Sequence, residues 1–184
     1  KLNAQATQNT ITTAAPFLLI APDARAGGMG DIGVATSPDA YSQHWNASKF
    51  AFNPYQFSIG ITYTPWLREL TNDVFLGGVS FVNKIDERSA WAASLNYFSL
   101  GKIELTDING LGLGTENLNE FSVDASYSLK LSETYAMGVT MRYIRSDLGI
   151  KSGDTPLKPV NIFAVDISGY FQSEEKNYGN FNGI

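Results

Sequence analysis

Apolar and polar residues alternate with a period of two along most of the chain from residue 55 onward. The stretch FSVDASYSL (121–129) is the clearest example, because every second residue from Phe121 to Leu129 is apolar and those between them are Ser or Asp. Successive side chains of a β-strand point to opposite faces, so each such stretch predicts a strand with one apolar and one small or polar face. The predicted strands are 55–63, 74–82, 91–99, 121–129, 135–143 and 163–171.

Two all-β architectures produce this alternation. A soluble β-sandwich buries the apolar faces in its core, whereas an outer-membrane barrel turns them toward lipid. Strands of about 9–11 residues match the length that crosses a bilayer at a tilt. Aromatic residues lie near strand ends, where interfacial girdles belong: Tyr63, Trp66, Trp91, Tyr97, Tyr127, Tyr135, Tyr143 and Phe171. The pattern favours a transmembrane antiparallel β-barrel, with the sandwich as the alternative.

Short and long connections alternate between the predicted strands. The segments 83–89 and 130–134 are short, whereas 101–119 and 146–159 are long. Barrels have short periplasmic turns and long outside loops, so the long segments, together with 65–73, are expected outside. Six strands do not close a membrane barrel, for which about eight are needed, so the sequence predicts the first part of a longer barrel. The alternative is that another chain supplies the missing strands.

Charge and composition exclude several classes of function. The net charge of −5 argues against a nucleic-acid partner, which requires a basic face. The chain has no cysteine and a single histidine, His44, which excludes thiol catalysis, cysteine-ligated zinc and sites with several histidines. No run of 18 apolar residues predicts a transmembrane helix.

The glycine-rich stretch RAGGMGDIGVATSPDA (25–40) contains the spacing G-x-G-x-x-G in Gly28, Gly30 and Gly33. A dinucleotide-binding turn also needs a following helix and an acidic residue about 20 positions later. Pro38 and β-branched residues interrupt the helix, and the acidic residue is missing. The glycines therefore predict a tight turn whose backbone packs closely against a neighbouring element.

Residues 11–52 resemble the beginning of a known family. The resemblance is carried by PFLLIAPDARAGGMGDIGVAT (16–36), by Asp39 in SPDA, and by HWN (44–46) followed by Lys-Phe-Ala-Phe. These motifs are similar to the start of the PorV family of type IX secretion system proteins, within the wider FadL-like barrels. One departure is visible, since family members usually read Asn-Pro-Ala where this chain has Asn46, Ala47 and Ser48.

The resemblance implies a barrel of about 14 strands in the outer membrane of a Gram-negative bacterium, without catalysis, cofactor or metal. It implies that residues 1–54 form a segment at the periplasmic side or a barrel plug, and that 55–184 form the first part of the barrel. Within the segment, glycines allow tight folding beside the wall, and Asp31 and Asp39 cap turns or short helices. The implied structural motif comprises Gly27, Gly28, Gly30, Asp31, Gly33, Asp39, Trp45 and Asn46.

The resemblance also implies partners. Such a protein takes secreted cargo, through the cargo's C-terminal domain, from a large outer-membrane translocon channel and delivers it to a cell-surface attachment complex. Outer-membrane lipid surrounds the barrel, and no nucleic acid is involved. The candidate partner-contact residues lie in the predicted outer loops: Trp66, Leu67, Leu70, Ile108, Leu111, Leu113, Leu148 and Ile150.

Other interpretations remain open at the level of sequence. A FadL-like transporter of hydrophobic solutes has the same fold, and fold alone does not decide function. An enzyme acting on lipopolysaccharide is a weaker possibility, with His44 as its only candidate base. The segment 107–116 has Asp107, Asn109 and Glu116 at calcium-loop positions, but Leu111 stands where an oxygen ligand is expected, which favours a flexible loop. Asp124, Asp166 and Arg142 predict a charged network in the lumen.

Overall fold

The computed structural model describes residues 15–106, 110–148 and 159–173, and the backbone alone at Leu113, 176–177 and 182–183. Two 3-10 helices and two short α-helices precede the strands: Pro16–Leu19, α1 (Ala24–Gly28), α2 (Ser42–Trp45) and Ala47–Phe52. The strands are β1 (Phe57–Pro65), β2 (Val74–Lys84), β3 (Ser89–Thr106), β4 (Gly112–Lys130), β5 (Tyr135–Asp147), β6 (Val160–Phe171), β7 (Lys176–Asn177) and β8 (Asn182–Gly183).

The first six strands form one antiparallel sheet in sequence order, β1 to β6, and β7 pairs with β8 in a separate two-stranded sheet. This confirms the all-β, antiparallel prediction and the existence of the six strands. The described helices are short, and none of them is long and apolar enough to cross a membrane.

The prediction of a long loop over 101–119 was wrong. β3 continues to Thr106 and β4 begins at Gly112, so most of this segment is a paired ribbon. A register shift between Ser99 and Gly101 inserts an extra residue, and Gly101 has a φ of +85°. A bulge of this kind reverses the phase of the alternation, which hides the continuation of the strand from a period-two pattern.

The two faces of the sheet differ as the alternation predicts. We call the face without the helices the outward face. Its central positions are exposed and apolar, including Ile61, Val79, Leu95 and Val139. The opposite face, which we call the covered face, has a buried polar centre: Ser80, Ser94, Ser122, Asp124, Ser126 and Thr140.

The N-terminal segment, residues 15–54, crosses the covered face from one end to the other. At the end that carries the connections 66–73 and 107–111, which we call the loop end, Phe17 packs against Leu76, Phe98 and Ile144. At the opposite end, which we call the turn end, Phe50 lies in a second cluster with Val82, Ala90, Ala92 and Ala47. The segment therefore covers the polar centre between two apolar anchors.

Candidate functional site

Two strand glycines allow the N-terminal segment to approach the covered face. The ring of Tyr41 lies so close to Gly60 that an added Cβ would be 2.6 Å from it, and the Tyr41 hydroxyl donates to the carbonyl of Ile61 at 3.2 Å. A Cβ on Gly138 would lie 2.7 Å from the backbone nitrogen of Ser48. Any larger residue at either glycine would push the segment away from the sheet.

Polar contacts complete the attachment of the segment. The Ser126 hydroxyl donates to Oε1 of Gln43 at 2.5 Å, which joins α2 to the middle of β4. The backbone N–H of Ser48 donates to Oγ of Ser168 in β6 at 3.3 Å. These hydrogen bonds satisfy part of the buried polar surface, while Nε2 of Gln43 and the hydroxyls of Ser80 and Ser122 are buried without a partner among the described residues.

Asn46 is buried and links three parts of the molecule. Its Oδ1 accepts from the backbone N–H of Ser48 at 3.1 Å and from the Ser48 hydroxyl at 2.5 Å, which caps the second 3-10 helix. Its Nδ2 donates to the carbonyl of Val34 at 3.3 Å and to that of Gly169 at 3.1 Å. One amide side chain thus holds the glycine-rich turn, the 3-10 helix and β6 together.

The structure gives separate reasons for the glycines of the motif. Gly33 lies against the indole ring of Trp45, and a Cβ there would be 2.3 Å from ring atoms. Gly30 has a φ of +77°, a conformation that favours glycine. Gly27 and Gly28 have ordinary φ values and no neighbour within 4 Å of an added Cβ, so packing does not require glycine there.

The three acidic residues of the segment differ in the groups that their side chains contact. Asp23 was not predicted from the sequence as a capping residue, but its carboxylate caps α1 by accepting from the backbone N–H of Ala26 at 2.8 Å. Asp39 accepts from the backbone N–H two residues later at 3.0 Å and pairs with Arg25 at 3.0 Å. Asp31 is exposed with a φ of 59°, so its main contribution is to the backbone of the turn.

Lys49 is a buried cation that the sequence analysis also missed. Its Nζ donates to the carbonyl of Gly33 at 2.8 Å and to Oγ1 of Thr36 at 3.1 Å. Burial lowers the pKa of Lys49 to about 8, and Asp39 opposes this shift. The side chain ties the glycine-rich turn to the helix that carries Phe50.

The predicted charged network is present in part. Asp124 is fully buried, accepts from Nε of Arg142 at 2.7 Å and accepts from the Ser94 hydroxyl at 3.1 Å. Asp166 lies on the same face but is exposed. The buried pair lies at the centre of the covered face, under α2.

His44 packs edge-on against Trp45, with ring centroids 4.7 Å apart. Burial, and then the charge of Arg142, lower the pKa of His44 to about 4. A histidine that is neutral at pH 7 can act as a base, but the described residues offer it no hydrogen-bonded nucleophile or carboxylate. Its environment fits a packing role between the segment and the sheet.

The predicted partner-contact residues whose side chains the structure describes lie in separate connections at the loop end. Leu67 and Leu70 are 62% and 83% exposed in the connection after β1, and Trp66 stacks edge-on with Phe98 at 5.7 Å. Leu111 and Leu148 are exposed in the other two connections. Ile108, Ile150 and the side chain of Leu113 lie outside the described residues.

Metal ligands do not cluster in the part of the chain that the structure describes, where no group of three or more candidate side chains is found. Asp107 and Asn109 of the calcium-loop pattern lie outside the described residues. Of the three predicted calcium ligands, the structure describes Glu116.

Comparison with known proteins gives one result over nearly the whole chain. A family model described as type IX secretion system protein PorV matches residues 3–184, which extends the resemblance from the N-terminal motif through all six strands. A comparison with curated proteins found no match. The chain therefore belongs to the PorV family of type IX secretion system proteins.

Proposed function

We propose that this chain forms part of the wall of an outer-membrane β-barrel, and that it carries cargo for type IX secretion without catalysing a reaction. In this proposal the protein binds the C-terminal signal domain of cargo at the translocon channel and passes the cargo to the attachment complex. Family membership supports a role in type IX secretion, and PorV is not a known enzyme family. The exposed apolar outward face of the sheet supports the membrane-barrel part of the proposal.

The observation that carries the proposal is the order of residues on the outward face. Near the loop end an aromatic row crosses the strands, with neighbouring ring centroids 5.0 to 6.1 Å apart within each pair. It comprises Tyr63, Phe75, Tyr97, Phe121, Tyr143 and Phe163. Near the turn end lies a second row: Phe57, Phe81, Trp91, Tyr127, Tyr135 and Phe171.

Between the two rows the outward positions are apolar, as in the band of a barrel that contacts hydrocarbon. The rows are separated by about six to eight residues of strand, or roughly 20–26 Å at 3.3 Å per residue. With strands tilted by about 35–45°, this corresponds to roughly 14–21 Å along the membrane normal, which fits within an apolar band about 25 Å tall. A soluble sandwich would have to cover this face with a second sheet.

The covered face has little free space under α2. Phe17 and its neighbours fill the apolar part of this face at the loop end, and α2 covers the polar part. The two cavities that His44 helps to line, beside Leu76 and beside Ser94, have volumes of about 10 Å³ each. That space holds a water molecule and is far too small for a fatty acid.

Exposed leucines at the loop end are the surface that we assign to the translocon or the cargo. Leu67 and Leu70 protrude beyond the aromatic row, where lipid would not cover them, and Leu67 has a φ of 51°. Exposed apolar side chains on a loop supported by a rigid sheet are typical of protein contacts. Under this assignment the loop end faces the cell exterior, and the turn end faces the periplasm.

The test replaces both leucines by serine and measures how much translocon channel co-isolates with the tagged protein from native outer membranes. We expect Leu67→Ser/Leu70→Ser to reduce co-isolation about tenfold or more, since two buried leucines contribute several kcal/mol to an interface. The matched control is Ile85→Ser/Leu131→Ser, which alters exposed apolar residues in the turns at the opposite end. Equal co-isolation of both double variants would contradict the assignment.

A further inference from the structure

A cleft of about 550 Å³ opens at the loop end, beside the β3 bulge. The cleft is lined by amide side chains, one carboxylate, one amine, two hydroxyl groups and two aromatic rings. The residues that matter for recognition are Asn72, Asp73, Phe75, Tyr97, Lys102 and Asn117, and Asn119 lies beside Asn117 on the same face.

The floor of the cleft is rigid. The Ser99 hydroxyl donates to the carbonyl of Asp73 at 2.7 Å, and the backbone N–H of Lys102 donates to its carboxylate at 2.9 Å. The Thr71 hydroxyl donates to the same carboxylate, and these hydrogen bonds hold the pKa of Asp73 below its ordinary value. Gly101 faces this carboxylate so closely that a Cβ would lie 3.0 Å from it. The bulge therefore presents a fixed, charged acceptor.

The amides around this floor have no hydrogen-bond partner in the described part of the chain. Among the described residues, the side chains of Asn72, Asn117 and Asn119 make no hydrogen bond to another part of the chain. Each amide offers two donor hydrogens and an acceptor oxygen. Several such groups beside a carboxylate and aromatic rings suit a ligand that carries many hydroxyl groups, because every hydroxyl both donates and accepts.

The cleft continues into the apolar part of the outward face. Phe75 and Tyr97, which line it, belong to the aromatic row at the loop end, with ring centroids 5.9 Å apart. On the side toward the turn end the neighbouring outward residues are Val79 and Leu95. A ligand seated here would place a polar head among the amides and a hydrocarbon tail along the strands.

We propose that this cleft binds the saccharide headgroup of a glycolipid whose acyl chains lie along the outward face. The inference rests on the proposed function only in placing the outward face in lipid. The fixed carboxylate of Asp73 disfavours a phosphate headgroup by repulsion, and Lys102 beside a single carboxylate disfavours a cation site. Saccharide hydroxyls can donate to Asp73 and both donate to and accept from the amides.

The test uses the full-length protein in nanodiscs that contain equal amounts of digalactosyl diacylglycerol and phosphatidylcholine. Mass spectrometry of the protein released with its bound lipids gives the ratio of glycolipid to phospholipid adducts. We expect the glycolipid to be enriched about tenfold over the bulk ratio, as several hydrogen bonds of ordinary strength would produce. The variant Asn117→Leu/Asn119→Leu should return the ratio to that of the bulk.

Asn83→Leu is the matched control, because Asn83 lies on the outward face at the opposite end and pairs with an aromatic residue, Trp91. It should keep the enrichment. A bulk ratio in the unaltered protein, or enrichment that survives the double variant, would overturn the inference. Binding of free lactose without glycolipid enrichment would overturn the lipid part. Failure of the unaltered protein to insert into nanodiscs would instead contradict the proposed function, so the two failures are distinguishable.

Discussion

The N-terminal segment and the six-stranded sheet are stabilised in different ways. In the segment, single residues make contacts that no other residue type reproduces, such as the four hydrogen bonds of Asn46 and the stacking of Trp45 on Gly33. On the outward face of the sheet, apolar residues such as Val139 and Met141 need only be apolar. A segment built from specific contacts has a recognisable motif in this sequence, whereas the outward face has only an alternating pattern.

The largest expected effect tests whether the N-terminal segment requires small residues on the strands beneath it. Gly138→Ala places a Cβ 2.7 Å from the backbone nitrogen of Ser48, and a backbone atom cannot move aside as a flexible side chain can. We expect the free energy of unfolding to fall by about 3 kcal/mol, in the range of overpacked cores. Urea titration in phospholipid micelles, followed by tryptophan fluorescence, measures it.

Gly77→Ala is the control for that substitution. Gly77 lies in β2, and a Cβ there would meet its nearest neighbour at 3.7 Å, an ordinary contact. Alanine should be neutral or slightly stabilising at this strand position, since it has the lower backbone entropy in the unfolded chain. Equal losses in both variants would mean that strand glycines matter for the sheet alone, and the comparison between segment and sheet would fail.

The next effect concerns Asn46. Asn46→Asp keeps the acceptor that caps the 3-10 helix but removes the donors to Val34 and Gly169. The carbonyls of Val34 and Gly169 each lose a partly buried hydrogen bond, so we expect a loss of about 1–2 kcal/mol in the free energy of unfolding. Trypsin digestion at Arg25 in the folded protein provides a second measure, because the glycine-rich turn should separate from β6 and be cut faster. Cutting at an unchanged rate would show that Trp45 and Lys49 alone hold the turn.

A pH effect of intermediate size is expected at His44. Its folded-state pKa of about 4 lies below the ordinary value of 6.5, so the unfolded chain takes up the proton first as the pH falls. Neutral His44 stabilises the folded state fully above pH 6.5, and this stabilisation is lost as the pH falls through 4. Between pH 6.5 and 5.5 the free energy of unfolding should fall by about 1 kcal/mol. His44→Gln should reduce the slope of unfolding free energy against pH in this range. If the variant and the original protein have equal slopes, His44 is solvated in the folded state.

Much of the fold could be predicted from sequence, because the physics that sets it is periodic. Alternation identified all six strands, and the family motif identified the segment. The prediction failed at Gly101, where a bulge changes the phase and makes a strand resemble a loop. Such a bulge depends on the partner strand, which a local pattern does not contain.

The candidate site was less predictable, since its contacts join residues far apart in the chain. Lys49 follows three small polar or apolar residues and precedes Phe50, and nothing nearby signals that its ammonium group reaches the carbonyl of Gly33. The role of Gly138 depends on Ser48, 90 positions earlier. The cap at Asp23 was the exception, because an aspartate before a short helix is a local signal that the sequence analysis overlooked.

The last two substitutions separate the two faces within a single sheet, and the one on the outward face has the smallest expected effect. Val139→Leu adds a methylene to an outward residue that is 46% exposed, where we expect a change below about 0.5 kcal/mol. Val82→Leu adds the same methylene on the covered face, where Val82 is fully buried with Phe50 and Ala92. Overpacking there should cost about 1–2 kcal/mol in the free energy of unfolding. Both substitutions change volume and hydrophobicity equally. A difference between their unfolding free energies therefore measures the packing of the segment on the sheet and not the propensity of the strand. If both variants unfold like the original protein, Phe50 moves without cost, and the segment rests on the sheet through its polar contacts alone.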